Sequence, residues 1–390
     1  MFGSEETSHF DFWDSVETGE EHYSSAVEAK VKEEIKLGEN NYELEIVYDS
    51  AEKQIYSLLY RNNHLVSSQY VYIVTSEKDF GLNYQLEQIL KREKENLKAS
   101  WNLREVLNKK GTAAEHNSLG LFFLDKGLDN EAAEQFESAL KKSPPLSDTY
   151  KNLSSVYLRK GVPHKALELL EAGVKLNPTF ADLRNALGWV YLECQKRKEA
   201  FEQFTMALEL NKNYAEVFLN LTLWYLQESA NNPENSQALT QAIKYLRKAL
   251  SLDPEFSLPQ DKISEWEEIS KLYLILKNRV AQKDTSHIKS ICELYFLRFS
   301  YDRENLTQPS WQYFLMELNE KIESGNDFPD LRNYLGMGYW YYSFFFLEKS
   351  HSILRSDKFG KKLKNLAALN LEVVDTLNKQ LEKLNPRWER

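Results

Sequence analysis

The sequence predicts a mainly α-helical protein, a solenoid of stacked helical hairpins preceded by a small N-terminal α+β unit with a three-stranded meander and a helix. Three observations support this fold class. A sequence pattern recurs every 34 residues from Ala113 onwards, strand-like segments precede it, and helical periodicity continues after Phe256. A 34-residue period is that of a stacked pair of antiparallel helices, so it favours a scaffold over a catalytic fold.

The repeat occurs in four copies, which span residues 113–146, 147–180, 181–214 and 215–256. Within the copies, small residues stand where two antiparallel helices would cross, because closely crossing helices need small side chains there. Gly120 and Gly188 take this place on the first helix, and alanines face them from the second. Proline ends the second helix in three copies, at Pro144, Pro178 and Pro254. The fourth copy carries eight extra polar residues, which we interpret as a surface loop between its helices.

These positions resemble the tetratricopeptide repeat family. The resemblance implies a non-catalytic scaffold that binds a protein or peptide partner in a concave groove lined by the first helix of each hairpin. In the family's register, fourteen residues line this groove: Asn117, Leu121, Leu124, Lys151, Ser155, Leu158, Arg159, Asn185, Trp189, Leu192, Glu193, Leu219, Leu223 and Leu226. Eight of the fourteen are apolar, which favours an amphipathic helix or an aromatic-bearing extended segment as the partner.

The sequence leaves alternatives open. The N-terminal segment contains Phe10, Phe12 and Trp13 among acidic residues, and such a segment can dock in a groove. The chain would then be a regulatory module that its own N-terminus inhibits. The groove would equally be closed to partners if this arm or the C-terminal helices covered it. A helical enzyme is a weaker alternative, because its site would have to be assembled from distant residues.

The region before the repeats divides into two parts. Residues 1–40 are predicted to be an acidic, largely flexible arm, with a short helix over 25–37. Residues 41–110 are predicted to form the small α+β domain, with strands over 42–48, 54–60 and 65–74. A tight turn is expected at Asn62-Asn63. The helix predicted over 81–109 carries a stripe that includes Leu86, Leu97 and Trp101, which would cover the open face of the meander.

Residues 257–390 form the last predicted region. Helical periodicity is present over 263–282, 288–301, 311–324, 331–356 and 361–384. The segment from Phe328 to Gly336 keeps seven of nine residues of the segment from Phe180 to Gly188. This match predicts a degenerate repeat near 329–359, although no glycine marks its turn.

Composition narrows the function classes. Residues 1–45 hold thirteen acidic residues and three lysines, a net charge of −10 that equals the net charge of the whole chain. The remainder is therefore close to neutral, which argues against nucleic acid as a partner. The sequence contains no run of about 20 apolar residues, so direct membrane insertion is not expected. Two distant cysteines, Cys194 and Cys292, predict reduced thiols in a cytoplasmic protein. No motif indicates a catalytic residue, a metal or a cofactor.

Overall fold

The computed structural model of the protein describes residues 27–71, 81–142, 146–231, 236–252, 269–271, 273–274, 286–323 and 329–354. The chain divides into two compact units. One comprises Met1–Trp101 together with Arg303–Arg390, and the other comprises Asn102–Asp302. These limits differ from the sequence-based limits at residues 110 and 257, because the C-terminal helices after Asp302 group with the N-terminal sheet.

The N-terminal sheet has four antiparallel strands, one more than the sequence predicted. Its strands, in spatial and chain order, are β1 (Val27–Leu37), β2 (Asn40–Asp49), β3 (Gln54–Arg61) and β4 (His64–Val71). The short helix predicted over 25–37 is wrong for its described part, and residues 27–40 are not a flexible arm. Valine, alanine, isoleucine and leucine alternate with charged residues along β1, which is the period of a strand. The interspersed lysines pair diagonally with β2, at 2.9 Å for both Lys30–Glu45 and Lys32–Glu43.

The turn between β3 and β4 is the predicted two-residue turn. Asn62 and Asn63 both have positive φ values, 51° and 65°. Two successive left-handed residues match the right-handed twist of the flanking strands, and asparagine tolerates this conformation better than most residues.

Helix α1 (Leu82–Lys110) follows the sheet. Up to Trp101 it belongs to the same unit as the sheet, and Leu86 and Leu97 on its predicted stripe are buried. The Trp101 ring meets Tyr42 of β2 edge to face, with centroids 5.5 Å apart. The predicted packing of a helix against the sheet is therefore confirmed at this end.

The repeats form four helical hairpins. Their helices are α2 (Ala113–Asp125) and α3 (Asp129–Leu140), α4 (Ser147–Arg159) and α5 (Pro163–Leu176), α6 (Ala181–Glu193) and α7 (Arg197–Leu210), and α8 (Ala215–Asn231) and α9 (Ser236–Ser251). Buried side chains of one hairpin pack on those of the next, as Leu170 of α5 does with Leu183 and Leu187 of α6. Each hairpin thus buries its apolar face against a neighbour.

The predicted glycine crossings are close, but phenylalanine rings occupy them. A Cβ atom on Gly120 would lie 2.6 Å from the Phe136 ring, and one on Gly188 would lie 2.6 Å from the Phe204 ring. The glycines therefore make room for a ring from the second helix of the same hairpin, a role the sequence analysis gave to alanine.

The fourth hairpin is longer than the others. Helix α8 continues to Asn231, so residues 229–231 of the predicted loop are helical, and residues 232–235 lie outside the described residues. The extra residues therefore extend a helix before the chain turns into α9.

Three further helices are described after the repeats: α10 (Ser286–Tyr301), α11 (Gln308–Glu323) and α12 (Pro329–Leu354). The degenerate repeat near 329–359 is not a hairpin over its described part, because α12 runs through the place where a turn would lie. No neighbour lies within 4 Å of a Cβ added to Gly336, the equivalent of Gly188. The predicted helix over 361–384 and most of the one over 263–282 lie outside the described residues.

Candidate functional site

The first helices of the hairpins carry the row of residues predicted to line a groove. Five apolar members of this row, on α2, α4 and α6, are partly exposed: Leu121, Leu124, Leu158, Trp189 and Leu192. The three on α8 are buried, with exposed fractions of 5% for Leu219, 7% for Leu223 and 4% for Leu226. We define the five partly exposed residues as the apolar row.

The apolar row is only partly committed to internal packing. Leu158 packs against the buried cluster between the second and third hairpins, and Leu192 packs against the cluster that contains Ala200 and Phe204. Both side chains keep accessible surface. Side chains of this kind can serve the hairpin interface and a partner at once.

Asparagines in the row connect neighbouring first helices. The Asn117 side-chain oxygen of α2 accepts hydrogen bonds from Thr149 and Asn152 of α4, both at 3.1 Å. Asn220 of α8 donates to the Asn185 oxygen of α6 at 2.8 Å, and Asn185 is buried. These amides hold the stacking register of the hairpins, so we assign Asn117 and Asn185 a structural role.

The charged and hydroxyl members of the row also have partners. The Arg159 guanidinium lies 3.2 Å from the Asp129 carboxylate and donates to the Leu124 carbonyl at 2.9 Å. The Lys151 ammonium lies 3.9 Å from Asp182. Ser155 donates to the Lys151 carbonyl at 3.1 Å. Glu193 is partly exposed at the end of α6. The polar edge of the row is therefore largely neutralised.

Helix α10 packs against α2, a contact the sequence did not indicate. Ser118 donates to the Glu293 carboxylate at 2.7 Å, Tyr301 donates to Glu115 at 2.8 Å, and His287 lies 2.7 Å from Asp125. In the next hairpin, the equivalents of Glu115 and Ser118 are Thr149 and Asn152, which face the preceding first helix. Helix α10 therefore takes the position beside α2 that a preceding hairpin would have. Its sequence shows no 34-residue relation to α2 that could have revealed the contact.

The predicted docking segment with Phe10, Phe12 and Trp13 lies outside the described residues. The structure therefore brings together the row on α2, α4 and α6 but does not test the self-docking alternative.

Titratable side chains near the row have structural surroundings. Burial, followed by a 2.8 Å hydrogen bond to Glu171, raises the pKa of Tyr191 to about 12. Burial also raises the pKa of the Cys194 thiol, against a smaller opposite effect of Lys196. An activated cysteine shows the reverse shift, because the thiolate is the nucleophile.

Metal and membrane sites were sought among the same residues. In the part of the chain that the structure describes, no group of three or more histidine, cysteine, aspartate or glutamate side chains could hold a metal ion. No described helix combines the length and apolar character that a membrane crossing requires.

Comparison with known proteins adds a family match. A model described as tetratricopeptide repeat matches residues 234–256, the region of α9. No curated protein matches the sequence.

Several solved structures resemble the fold. YrrB, described as a TPR protein with an unusual peptide-binding site, is 21% identical, with a TM-score of 0.34, over 52% of this chain and 94% of its own. MamA from Desulfovibrio magneticus RS-1 is 20% identical, with a TM-score of 0.35, over 43% of this chain and 92% of its own. PilF from Pseudomonas aeruginosa is 19% identical, with a TM-score of 0.34, over 58% of this chain and 88% of its own.

The identification rests on the matched segment in α9 and on the hairpins that surround it. The hairpins before it start 34 residues apart and carry the glycine crossings described above. By these features the chain is a tetratricopeptide repeat protein.

Proposed function

We propose that the protein is a non-catalytic adaptor and that the apolar row binds an amphipathic helix or an aromatic-bearing extended segment of a partner protein. Tetratricopeptide repeats are protein-interaction scaffolds, which supports the general assignment. The observation that carries the specific proposal is the partial exposure of five apolar side chains on three consecutive first helices. Burying them would release about 25 cal/mol per Å² before the costs of association.

The proposed face is limited to the first three hairpins. Leu219, Leu223 and Leu226 of α8 are already buried, so a partner could reach them only by displacing protein. We therefore remove these three residues from the predicted groove. Asn117 and Asn185 border the proposed face, with their amide groups engaged between helices.

Two further features support a cytoplasmic protein partner as the ligand. Cys194 and Cys292 are both free thiols, in keeping with a reducing compartment. The net charge of −10 disfavours association with a polyanion such as nucleic acid.

The test is quantitative co-purification from a native extract with the full chain and a Leu121→Glu, Trp189→Glu double variant. The matched control is Leu176→Glu, Leu210→Glu, because these leucines are 60% and 44% exposed on second helices. Far-UV circular dichroism checks that each variant is folded. We expect the double variant to lose the partners that the parent and the control retain. Partners that stay with the folded double variant would refute the apolar row as the binding face.

A further inference from the structure

Helix α9, the second helix of the fourth hairpin, borders a cavity of about 570 Å³. Its lining residues are Phe218, Thr240, Ile243, Lys244, Tyr245, Arg247, Lys248 and Ser251. Except for Phe218 of α8, all of them belong to α9. The volume lies within the usual range of ligand pockets, about 300–1,000 Å³. This cavity lies on a second helix, so it is separate from the apolar row on the first helices.

Aromatic rings form the inner wall of the cavity. Phe218 is buried and stacks on Tyr245, with ring centroids 6.2 Å apart. Tyr245 in turn stacks on Tyr225 at 5.6 Å. Desolvation raises the pKa of Tyr245, so its hydroxyl is neutral at physiological pH. The wall is therefore an uncharged aromatic surface, held by side chains that support one another.

Three cations surround this aromatic wall. Lys244, Arg247 and Lys248 are all exposed, and α9 contains no acidic residue. No carboxylate in the described part of the chain pairs with any of the three, whereas Arg159 and Arg197 pair with Asp129 and Glu228. The charge at the cavity is thus available to a ligand.

The earlier hairpins carry the opposite charge at the same place. Two residues after the equivalent alanine, α3, α5 and α7 have Glu134, Glu168 and Glu202, where α9 has Lys244. Where α9 has Arg247, α3 and α5 have Glu137 and Glu171. Those two glutamates accept hydrogen bonds from Tyr157 and Tyr191, at 3.1 and 2.8 Å. The reversal therefore sets the fourth hairpin apart from repeats that use these positions internally.

We propose that the α9 cavity is a second binding site, which takes an acidic peptide segment of a partner protein with an aromatic side chain as its anchor. The anchor would enter the cavity against Phe218, Tyr245 and Ile243. Carboxylates on either side of it would pair with Lys244, Arg247 and Lys248. Charge complementarity would set the specificity and the ring contacts would supply the apolar burial.

Charge also favours an acidic peptide over nucleic acid at this site. Three cations are few for a phosphate backbone, and a chain with a net charge of −10 repels a long polyanion. A short acidic segment meets the local positive face while carrying little additional charge.

The test is fluorescence anisotropy with the full chain and a labelled heptapeptide of sequence Asp-Glu-Phe-Asp-Trp-Asp-Glu. The site variant is Lys244→Glu, Arg247→Glu, Lys248→Glu. The matched control, Lys175→Glu, Lys198→Glu, Lys212→Glu, changes the net charge equally at exposed positions of the earlier hairpins and their connections. We expect the site variant to lose at least about tenfold in affinity and the control to change less than about twofold. Affinity should also fall with rising salt.

Further variants separate the apolar contact and the apolar row from the charge effect. Ile243→Ser keeps every charge and should weaken peptide binding several-fold, with unchanged circular dichroism. The folded Leu121→Glu, Trp189→Glu variant should bind the heptapeptide like the parent, which makes this test independent of the proposed adaptor face. Equal binding by the site variant and its control would overturn the proposal. So would equal affinity for a peptide with lysine at each acidic position, or binding of a single-stranded oligonucleotide but not the heptapeptide.

Discussion

The hairpin turns depend on one residue at the end of each first helix. Gly127, Gly161 and Gln195 lie 34 residues apart and have φ values of 67°, 68° and 59°. In each turn the following residue donates to the carbonyl five positions back, at 2.8–2.9 Å. This is the Schellman arrangement, which requires a left-handed residue and favours glycine. The third hairpin therefore keeps the turn geometry with a side chain that strains it.

The exchange of glycine and glutamine at these turns should change stability in opposite directions. We expect Gln195→Gly to raise the free energy of unfolding by about 0.5–1 kcal/mol and Gly161→Gln to lower it by about as much. No atom lies within 4 Å of a Cβ placed on Gly161, and Gln195 is exposed, so side-chain packing contributes little to either change.

Urea denaturation of the parent and both single variants measures these differences. The double variant serves as a control, because the two sites are far enough apart for their effects to add. A Gln195→Gly variant less stable than the parent would mean that the glutamine makes a compensating contact.

Among the elements, helix α10 is the least expected, because it takes the place beside α2 of a preceding hairpin. Three polar pairs connect the two helices, and Phe122 of α2 and Leu294 and Leu297 of α10 are buried. A terminal repeat needs such a cover, since its apolar edge would otherwise face water.

A double-mutant cycle on Ser118 and Glu293 tests this packing. Their hydrogen bond is short at 2.7 Å and partly buried, and its acceptor is a carboxylate. We expect Ser118→Ala and Glu293→Ala to be coupled by about 1–2 kcal/mol in thermal or urea unfolding. The control cycle combines Ser118→Ala with Glu168→Ala, an exposed position on α5, and should give a coupling near zero. Additive effects in the Ser118–Glu293 cycle would contradict the assigned packing of α10.

These elements show which information the sequence contains. The hairpins could be predicted because their 34-residue period fixes which residues face one another. The strand β1 was missed because its charged residues concealed an alternating apolar face whose partner strand lies elsewhere in the chain. The place of α10 could not be predicted, because it depends on an edge of α2 some 175 residues away in the sequence.

The candidate site divides in the same way. The family's register identified the positions of the apolar row, since helical periodicity fixes the face of a helix. The burial of Leu219, Leu223 and Leu226 was not predictable from the register, because it depends on what surrounds α8. The charge reversal on α9 was present in the sequence, but its meaning required the aromatic cavity beside it.

For the whole molecule, the division into two units makes a prediction about cooperativity. The unit with the sheet combines the two ends of the chain, Met1–Trp101 and Arg303–Arg390. The Arg92 guanidinium of α1 lies over the Tyr313 ring of α11, 3.7 Å from its centroid. A cation–π contact of this kind contributes about 0.5–2 kcal/mol. The sheet unit should therefore depend on residues that follow the repeats by sequence.

A chain that ends at Asp302 should lose protection in the sheet unit and keep it in the hairpins. Hydrogen exchange followed by mass spectrometry would measure both units in one sample. We expect amides of β2, β3 and the first half of α1 to exchange at least about tenfold faster than in the full chain, because their unit has lost part of its core. Amides of α3 to α7 should change less than about twofold. The full-length Tyr313→Ala variant should show a smaller change in the same amides. If the hairpins lost protection to the same extent as the sheet, the two units would unfold as one, and unchanged protection in the sheet would mean that it is stable without the C-terminal helices.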